Sequence, residues 1–174
     1  MPITEQILNQ SVPMHVRSNH ALEHATLHVL QERGNNVPMG GISDGGGFWI
    51  YGEVDTETIL EAAREALGRL AAGESDLAVH PNCGTNIAVG ALSAGALAWL
   101  SLVGTQGRPG RRLRRMPVAV LMGLIGYRAA QPLGPKVQEQ ITTNADVSGL
   151  RIVDVIRHDL MGYTVHRVST RMSS

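Results

Sequence analysis

Three histidines and a glutamate lie within nine positions of one another in the segment NHALEHATLHVL, residues 19–30. They are His20, Glu23, His24 and His28. Residues 16–33 carry apolar side chains at three- and four-residue spacings, which predicts a helix around them. On a helix that turns by about 100° per residue, the three imidazoles fall within roughly 80° of one another. Imidazoles at i and i+4 can bind one metal ion, so the spacing predicts a metal site.

The string His20-Ala-Leu-Glu23-His24 matches the H-x-x-E-H pattern of inverted zinc peptidases. In that pattern the two histidines are metal ligands and the glutamate is a general base for the bound water. His28 lies about 12 Å along the helix axis from His20, which is too far for one ion to take all three. His24 would therefore bind the metal ion together with either His20 or His28. Glu32 follows His28 by four positions and could be a ligand of a second metal ion. The alternative to a metal site is that these residues form a polar helix surface that faces solvent and has no catalytic or metal-binding role.

A zinc site needs a third protein ligand, and the segment HPNCGTN (80–86) offers His80 and Cys83. Residues 76–80, DLAVH, are predicted to be a strand, which places both side chains at a strand-to-turn junction. The other polar residues of this turn are equally suited to capping the apolar helix that follows. The sequence therefore predicts a zinc site with His80 or Cys83 as the third ligand.

The elements that must position these side chains alternate between helix and strand patterns, which predicts an α+β fold. They are a helix over 16–33, a loop over 35–47, a strand over 48–54, a helix from Asp55 or Thr56 to about 72, and strands over 150–158 and 163–171. The last two strands are predicted to form a C-terminal β-hairpin. His158 and His166 lie in that hairpin and are predicted to be surface residues. Asp44, in SDGGG, is predicted to be a turn residue or a substrate contact.

Two apolar segments, 87–104 and 117–134, flank a basic loop over 105–116 that contains five arginines and no acidic residue. A membrane-spanning helix needs roughly 17–25 apolar residues, so residues 87–104 are at the short end of that range. Residues 117–134 qualify only if the Arg128 side chain extends to the membrane interface. Small residues recur every four positions in the first segment, at Gly90, Ala94 and Ala98. Such spacing allows two helices to approach closely within lipid. We expect a membrane-inserted helical hairpin; the alternative is a pair of core helices in a soluble protein.

A hairpin returns the chain to the side from which it entered, so residues 1–86 and 135–174 are predicted to form one α+β domain. The expected location is the cell inner membrane, with the side of the α+β domain left open. Lipid is the expected partner, because the arginines suit anionic headgroups. Fifteen basic residues balance fifteen acidic ones, so charge does not favour nucleic acid as a partner. A homo-oligomer is compatible with the sequence.

Three motifs in order characterise the chain: NHALEHAT (19–26), SDGGGFWIYG (43–52) and HPNCGTN (80–86), followed by two apolar helices and the basic loop. In this arrangement the sequence resembles a family of small bacterial proteins catalogued as a domain of unknown function. The resemblance covers nearly the whole chain. It implies a compact domain interrupted by predicted membrane helices, with no assigned activity.

These observations support a membrane-associated zinc metallohydrolase as the first hypothesis. His20 and His24 would be ligands, Glu23 the general base, and His80 or Cys83 the third ligand. The alternative is a non-enzymatic module in which the same histidines hold a metal, haem or tetrapyrrole at the membrane surface. A third hypothesis is a structural membrane protein whose histidines contact lipid headgroups or a partner.

Overall fold

The computed structural model of the chain describes residues 11–160 and 162–173. They form two compact units, one built from the segments up to His80 and from Glu139 onward, the other from Pro81–Gln138. The first unit combines helices with a four-stranded antiparallel sheet, which confirms the α+β prediction. The second unit is helical and contains the segment predicted to be an apolar hairpin.

Two long helices of the first unit, α1 (Ser11–Glu32) and α2 (Thr56–Ala71), pack against each other. Helix α1 begins before the predicted residue 16, because Pro13 falls in its first turn, where a missing N–H leaves no hydrogen bond unmade. Helix α2 begins where the sequence predicted. The Asp55 carboxylate caps it by accepting a hydrogen bond of 2.9 Å from the backbone N–H of Thr58.

The sheet has the strand order β1-β2-β4-β3, and every neighbouring pair is antiparallel. Its strands are β1 (Gly40–Asp44), β2 (Gly47–Tyr51), β3 (Leu150–Leu160) and β4 (Tyr163–Met172). Strands β3 and β4 form the predicted C-terminal hairpin. The prediction of a loop over 35–47 is wrong for residues 40–44, because pairing with β2 outweighs the low strand propensity of two glycines.

The predicted strand over 76–80 is also wrong, because Ser75–Ala78 form a 3-10 helix. A short apolar run has no period long enough to separate a strand from a helical turn. Here Leu77 and Ala78 are buried against the core of the first unit. The largest fully buried apolar side chains of that core are Leu22, Leu30, Phe48, Ile50, Ile59, Val29, Val165 and Val168.

The two histidines of the C-terminal hairpin differ in environment. His158 is exposed, as predicted, whereas the prediction for His166 is wrong because its side chain is fully buried. Strand β4 lies between β2 and β3, and His166 pairs with Ile50 on the face that carries the core. Its Nε2 is 3.1 Å from Thr56 Oγ1, and burial lowers the pKa of the imidazole.

In the second unit, α3 (Gly84–Leu102) and α4 (Pro109–Ala130) run antiparallel, and the short helix α5 (Leu133–Val137) follows. Small residues allow the two long helices to approach closely. A Cβ added at Gly126 would lie 2.7 Å from the backbone oxygen of Ser93. Among the described residues, α3 is the one helix that is long and apolar enough to cross a membrane, judged by length and composition. Only 6% of its most apolar 18-residue stretch is buried.

The arginine-rich segment is helical from Pro109 onward, so the loop predicted over 105–116 is confined to its first residues. Proline at the first position of a helix has its φ angle already set for helical structure. Within the helix so formed, Arg115 donates a hydrogen bond of 3.0 Å to the backbone oxygen of Val103, at the end of α3. One arginine therefore caps the preceding helix, while its neighbours Arg111, Arg112 and Arg114 are exposed.

Candidate metal centre

Helix α1 brings His20 and His24 together on one face. Their ring centroids are 4.3 Å apart, and each offers a ligand nitrogen within 4.8 Å of the other's. His24 is 2% exposed and His20 is half-buried, so the pair lies at the edge of the core. Because they are four positions apart on a helix, their side chains stack one turn apart. Two imidazoles in this arrangement can share a metal ion.

Backbone carbonyl groups orient the three histidines of α1. His20 Nδ1 lies 3.0 Å from the oxygen of Thr142, and His24 Nδ1 lies 2.8 Å from that of Ala78. His28 uses its other nitrogen, Nε2, which lies 2.9 Å from the oxygen of Val79.

A carbonyl oxygen only accepts hydrogen bonds, so the ring nitrogen that faces it donates and carries the proton. The opposite nitrogen of each neutral ring then carries the lone pair that a metal requires. Metal-binding histidines in proteins are usually held this way, with one ring N–H donated to a carbonyl or carboxylate. The carbonyls therefore leave Nε2 of His20 and His24 as the nitrogens for a metal.

His80 joins this group from the segment after the 3-10 helix. Its side chain is 4% exposed, and its ring centroid is 5.7 Å from that of His24 and 4.8 Å from that of His28. Burial, followed by the nearby His28 and His24, lowers the pKa of His80 to about 4. His80 is consequently neutral at physiological pH, which is the protonation state of a metal ligand.

Cys83, the other predicted third ligand, belongs to the second unit. It is 7% exposed and is the N-cap residue of α3, where its Sγ accepts a hydrogen bond of 3.4 Å from the backbone N–H of Thr85. The cysteine thus has a local structural role, and its role as a ligand stays a prediction. Glu32, which left a two-metal site open, forms a 2.5 Å ion pair with Arg69 instead.

Glu23, the predicted general base, is 4% exposed, and its carboxyl group lies under strand β1. A Cβ added at Gly41 would lie 2.6 Å from Glu23 Cδ, so a larger residue there would require the Glu23 side chain to move. Desolvation by burial raises the pKa of Glu23 to about 7, against the opposing effects of His20 and a hydrogen bond with Ser43. A carboxyl group with a pKa near neutrality can accept and return a proton at physiological pH.

Asn19 holds β1 against α1, a contact that the local sequence pattern did not predict. Asn19 is fully buried; its Nδ2 donates to the backbone oxygen of Asp44 (2.8 Å), and its Oδ1 accepts from Thr170 Oγ1 (2.6 Å). Asp44 itself forms a bidentate pair with Arg167, at 2.7 and 2.8 Å, which lowers the pKa of the carboxyl group. It also accepts from the backbone N–H of Gly46, as the turn prediction required.

Comparison with known proteins assigns the chain to a family. Residues 15–155 match the model of the domain of unknown function DUF6391. The chain belongs to this family. The DUF6391 match includes all four residues of the α1 cluster, the β1–β2 hairpin, His80, Cys83 and both long helices of the second unit.

An uncharacterized protein of Picosynechococcus sp. (strain ATCC 27264 / PCC 7002 / PR-6) is 36% identical to this chain over 146 residues, which is 74% of the chain. The aligned part spans 65% of the length of that relative. No solved structure matches the chain. The DUF6391 description carries no activity, so a function for the histidine cluster rests on its geometry.

Proposed function

We propose that this protein is a membrane-associated, zinc-dependent hydrolase. The observation that carries the proposal is the pair His20 and His24, each held by a backbone carbonyl through Nδ1, with the buried carboxyl group of Glu23 beside them. Two oriented imidazoles and a carboxyl group near neutral pKa are the parts that metal-assisted hydrolysis needs.

Zinc fits the cluster better than harder cations do. Imidazole nitrogen suits zinc and other late transition metals, whereas magnesium and calcium require oxygen ligands. The ring nitrogens of His20 and His24 are the first two ligands in this proposal, and His80 or Cys83 supplies the third. Zinc bound there would supply Lewis acidity and an acidified water, and Glu23 would hold the proton that this water loses.

Metal analysis of the purified protein tests the proposal. We expect about one zinc ion per chain in the wild type, as at other three-ligand sites, and almost none in His24→Ala. Removing zinc with a chelator should lower the melting temperature of the wild type and leave that of His24→Ala unchanged. The exposed His158 provides the control, since His158→Ala should keep both the zinc and the response to chelator. Zinc-free wild-type protein whose melting temperature ignores chelators would contradict the proposal.

The same measurement identifies the third ligand. His80→Ala and Cys83→Ser are each made singly, and the residue that binds zinc is the one whose replacement lowers zinc content. X-ray absorption spectra then separate the enzyme from the non-enzymatic binding module. A hydrolase keeps one coordination position for water, whereas a binding module closes the shell with protein ligands or an organic cofactor.

The membrane part of the proposal rests on the second unit. Several large apolar side chains of its long helices are exposed, including Leu92 (75%), Trp99 (64%) and Leu124 (61%). Water-soluble proteins rarely expose so many large apolar groups on neighbouring helices, whereas lipid solvates them. The exposed arginines at the start of α4 suit anionic headgroups.

Cell fractionation tests membrane association. We expect the full chain in the membrane pellet after an alkaline carbonate wash, and its release by detergent. Leu92→Glu combined with Leu124→Glu should move it to the supernatant, because each charge must be buried in hydrocarbon. Wild-type protein that remains in the supernatant throughout would contradict the membrane assignment while leaving the zinc proposal untouched.

A further inference from the structure

Strand β1 is an edge of the sheet. It pairs with β2 on one side, and no other described strand pairs with its outer side. The strand is joined to β2 by a two-residue turn, Gly45–Gly46, and Asp44 opposite Gly47 closes the hairpin. Edge strands carry unpaired backbone groups that can accept a further strand.

The register determines which backbone groups of β1 face outward. Gly52 N–H donates to Thr164 O (3.2 Å) and Thr170 N–H donates to Gly46 O (2.9 Å), so the even-numbered residues of β2 bond toward β4. The odd-numbered residues of β2 therefore bond toward β1, where their partners are Gly40, Ile42 and Asp44. It follows that Gly41 and Ser43 direct their N–H and C=O groups away from β2, to the outer edge of β1.

These two residues are also the ones above the candidate base. The backbone of Gly41 lies against the carboxyl group of Glu23, and the Ser43 hydroxyl hydrogen-bonds to the same group. A strand added to this edge would therefore run alongside Glu23. An extended polypeptide backbone could pair with the outward groups of β1, since its N–H and C=O groups repeat with the same spacing.

A groove adjoins the start of β1 and extends toward the end of β2 and the start of β4. It has a volume of about 430 Å³, and its lining is mainly apolar, with Gly40, Val37, Met39, Tyr51 and Tyr163 beside one charged residue, Glu53. Grooves of this size and lining accept an apolar or aromatic side chain. Beside it, Ile42 is 60% exposed and available to a side chain of an added strand.

We propose that the substrate is a polypeptide segment that binds in extended conformation by strand addition to the outer edge of β1, with an apolar side chain in the Gly40 groove. This inference rests on the proposed hydrolase function. In the reaction, water adds to the carbonyl carbon of the peptide bond and the C–N bond breaks. The proton that water loses passes to the leaving amine, giving a carboxylic acid and an amine.

Ser43→Pro removes one outward N–H without touching the hydrogen bonds between β1 and β2, since proline is tolerated where an edge N–H faces outward. Ser43→Ala is its control, because it loses the same hydroxyl and keeps the N–H. Both are made in the zinc-loaded Glu23→Gln background, which prevents turnover. The probe is fluorescein-labelled, reduced and carboxymethylated α-lactalbumin, an unfolded polypeptide, and binding is followed by fluorescence anisotropy.

We expect Ser43→Pro to weaken binding of the probe by about tenfold, the usual effect of losing one backbone hydrogen bond, and Ser43→Ala by less than about twofold. Equal affinities for the two variants would overturn the proposal. If Ser43→Pro does not fold, Ile42→Asp replaces it, because the exposed side chain can be changed without disturbing the core.

Failure of this inference is distinguishable from failure of the proposed function. Zinc-loaded protein that ignores the probe overturns strand addition and leaves the hydrolase proposal in place. Protein without zinc overturns the hydrolase proposal itself. A dimer that forms in place of probe binding, and that Ser43→Pro dissolves, would assign the β1 edge to a second copy of the chain and overturn the polypeptide substrate.

Discussion

Metal-free Glu23→Gln is expected to be more stable than the metal-free wild type by about 3 kcal/mol at pH 8 and by less than about 1 kcal/mol at pH 5. The cause is the cost of burying a negative charge. The Glu23 carboxyl group is 4% exposed, and burial raises its pKa from an ordinary 4.5 to about 7. A glutamine of nearly the same shape fills the space under Gly41 and carries no charge at any pH.

The sign follows from the order of the two pKa values. Well below pH 4.5 the carboxyl group is protonated in both the folded and the unfolded chain, so no charge is buried on folding. As the pH rises from 4.5 to 7, the unfolded chain releases its proton while the folded chain still holds it. The free energy of unfolding falls throughout this interval, by about 1.4 kcal/mol for each pKa unit. Above pH 7 the loss is complete, and the advantage of Glu23→Gln is largest.

Urea unfolding in the presence of a chelator, at pH 5 and at pH 8, measures the difference. Glu139→Gln is the matched control, because Glu139 is exposed and its replacement should change the free energy of unfolding equally at both values of pH. A Glu23→Gln variant that is destabilised, or that gains the same stability at pH 5 as at pH 8, would contradict the prediction. It would mean that the folded chain stabilises the charged carboxylate.

The same substitution bears on function. Under the proposed mechanism Glu23 is a general base and does not bind zinc. Glu23→Gln should therefore bind zinc as the wild type does, and its metal-free form should be more stable than the metal-free wild type. A protein that retains a costly buried charge above neutral pH gives up stability for the chemistry of that group. Gly41 also lowers stability in favour of this group, because glycine has a low strand propensity but leaves space for the Glu23 carboxyl group.

Local periodicity accounts for the part of the site that the sequence predicted. His20 and His24 lie four residues apart on a helix, so helix geometry alone places their rings together. The same rule predicted α2 and its Asp55 cap, because capping depends on residues three positions apart. The C-terminal hairpin followed from strict alternation of apolar and polar residues on either side of a turn.

Non-local contacts account for what the sequence left out. The carbonyls that orient the histidines belong to Ala78, Val79 and Thr142, which are 51 to 122 residues away along the chain. Strand β1 was missed because its glycines suit a loop, and only the pairing with β2 and the packing of Glu23 explain them. The prediction for His166 was wrong because the alternation of apolar and polar residues indicates only which face of the sheet a side chain is on. Whether that side chain is buried depends on the packing around β4, which lies between β2 and β3.

Gly126→Val is expected to separate the two long helices of the second unit and to lower its free energy of unfolding by about 3 kcal/mol. A Cβ at this position would lie 2.7 Å from the backbone oxygen of Ser93 and 3.2 Å from the Cα atom of Ala94. Both are backbone atoms, so no side-chain rotation can relieve the clash, and the helices must move apart. Packing between small residues is the main source of helix association in lipid, where the hydrophobic effect is absent.

Gly95→Val provides a matched control for Gly126→Val, because it makes the same replacement within α3, where a Cβ would meet nothing within 4 Å. Since valine has a higher helix propensity than glycine, Gly95→Val should be neutral or slightly stabilising. Thermal unfolding of the full chain in a mild detergent, followed by far-ultraviolet circular dichroism, compares the two variants. If both unfold at the temperature of the wild type, α3 and α4 do not depend on close packing at Gly126. If Gly126→Val alone unfolds early while its zinc content is unchanged, the helical unit loses stability independently of the unit that carries the histidine cluster.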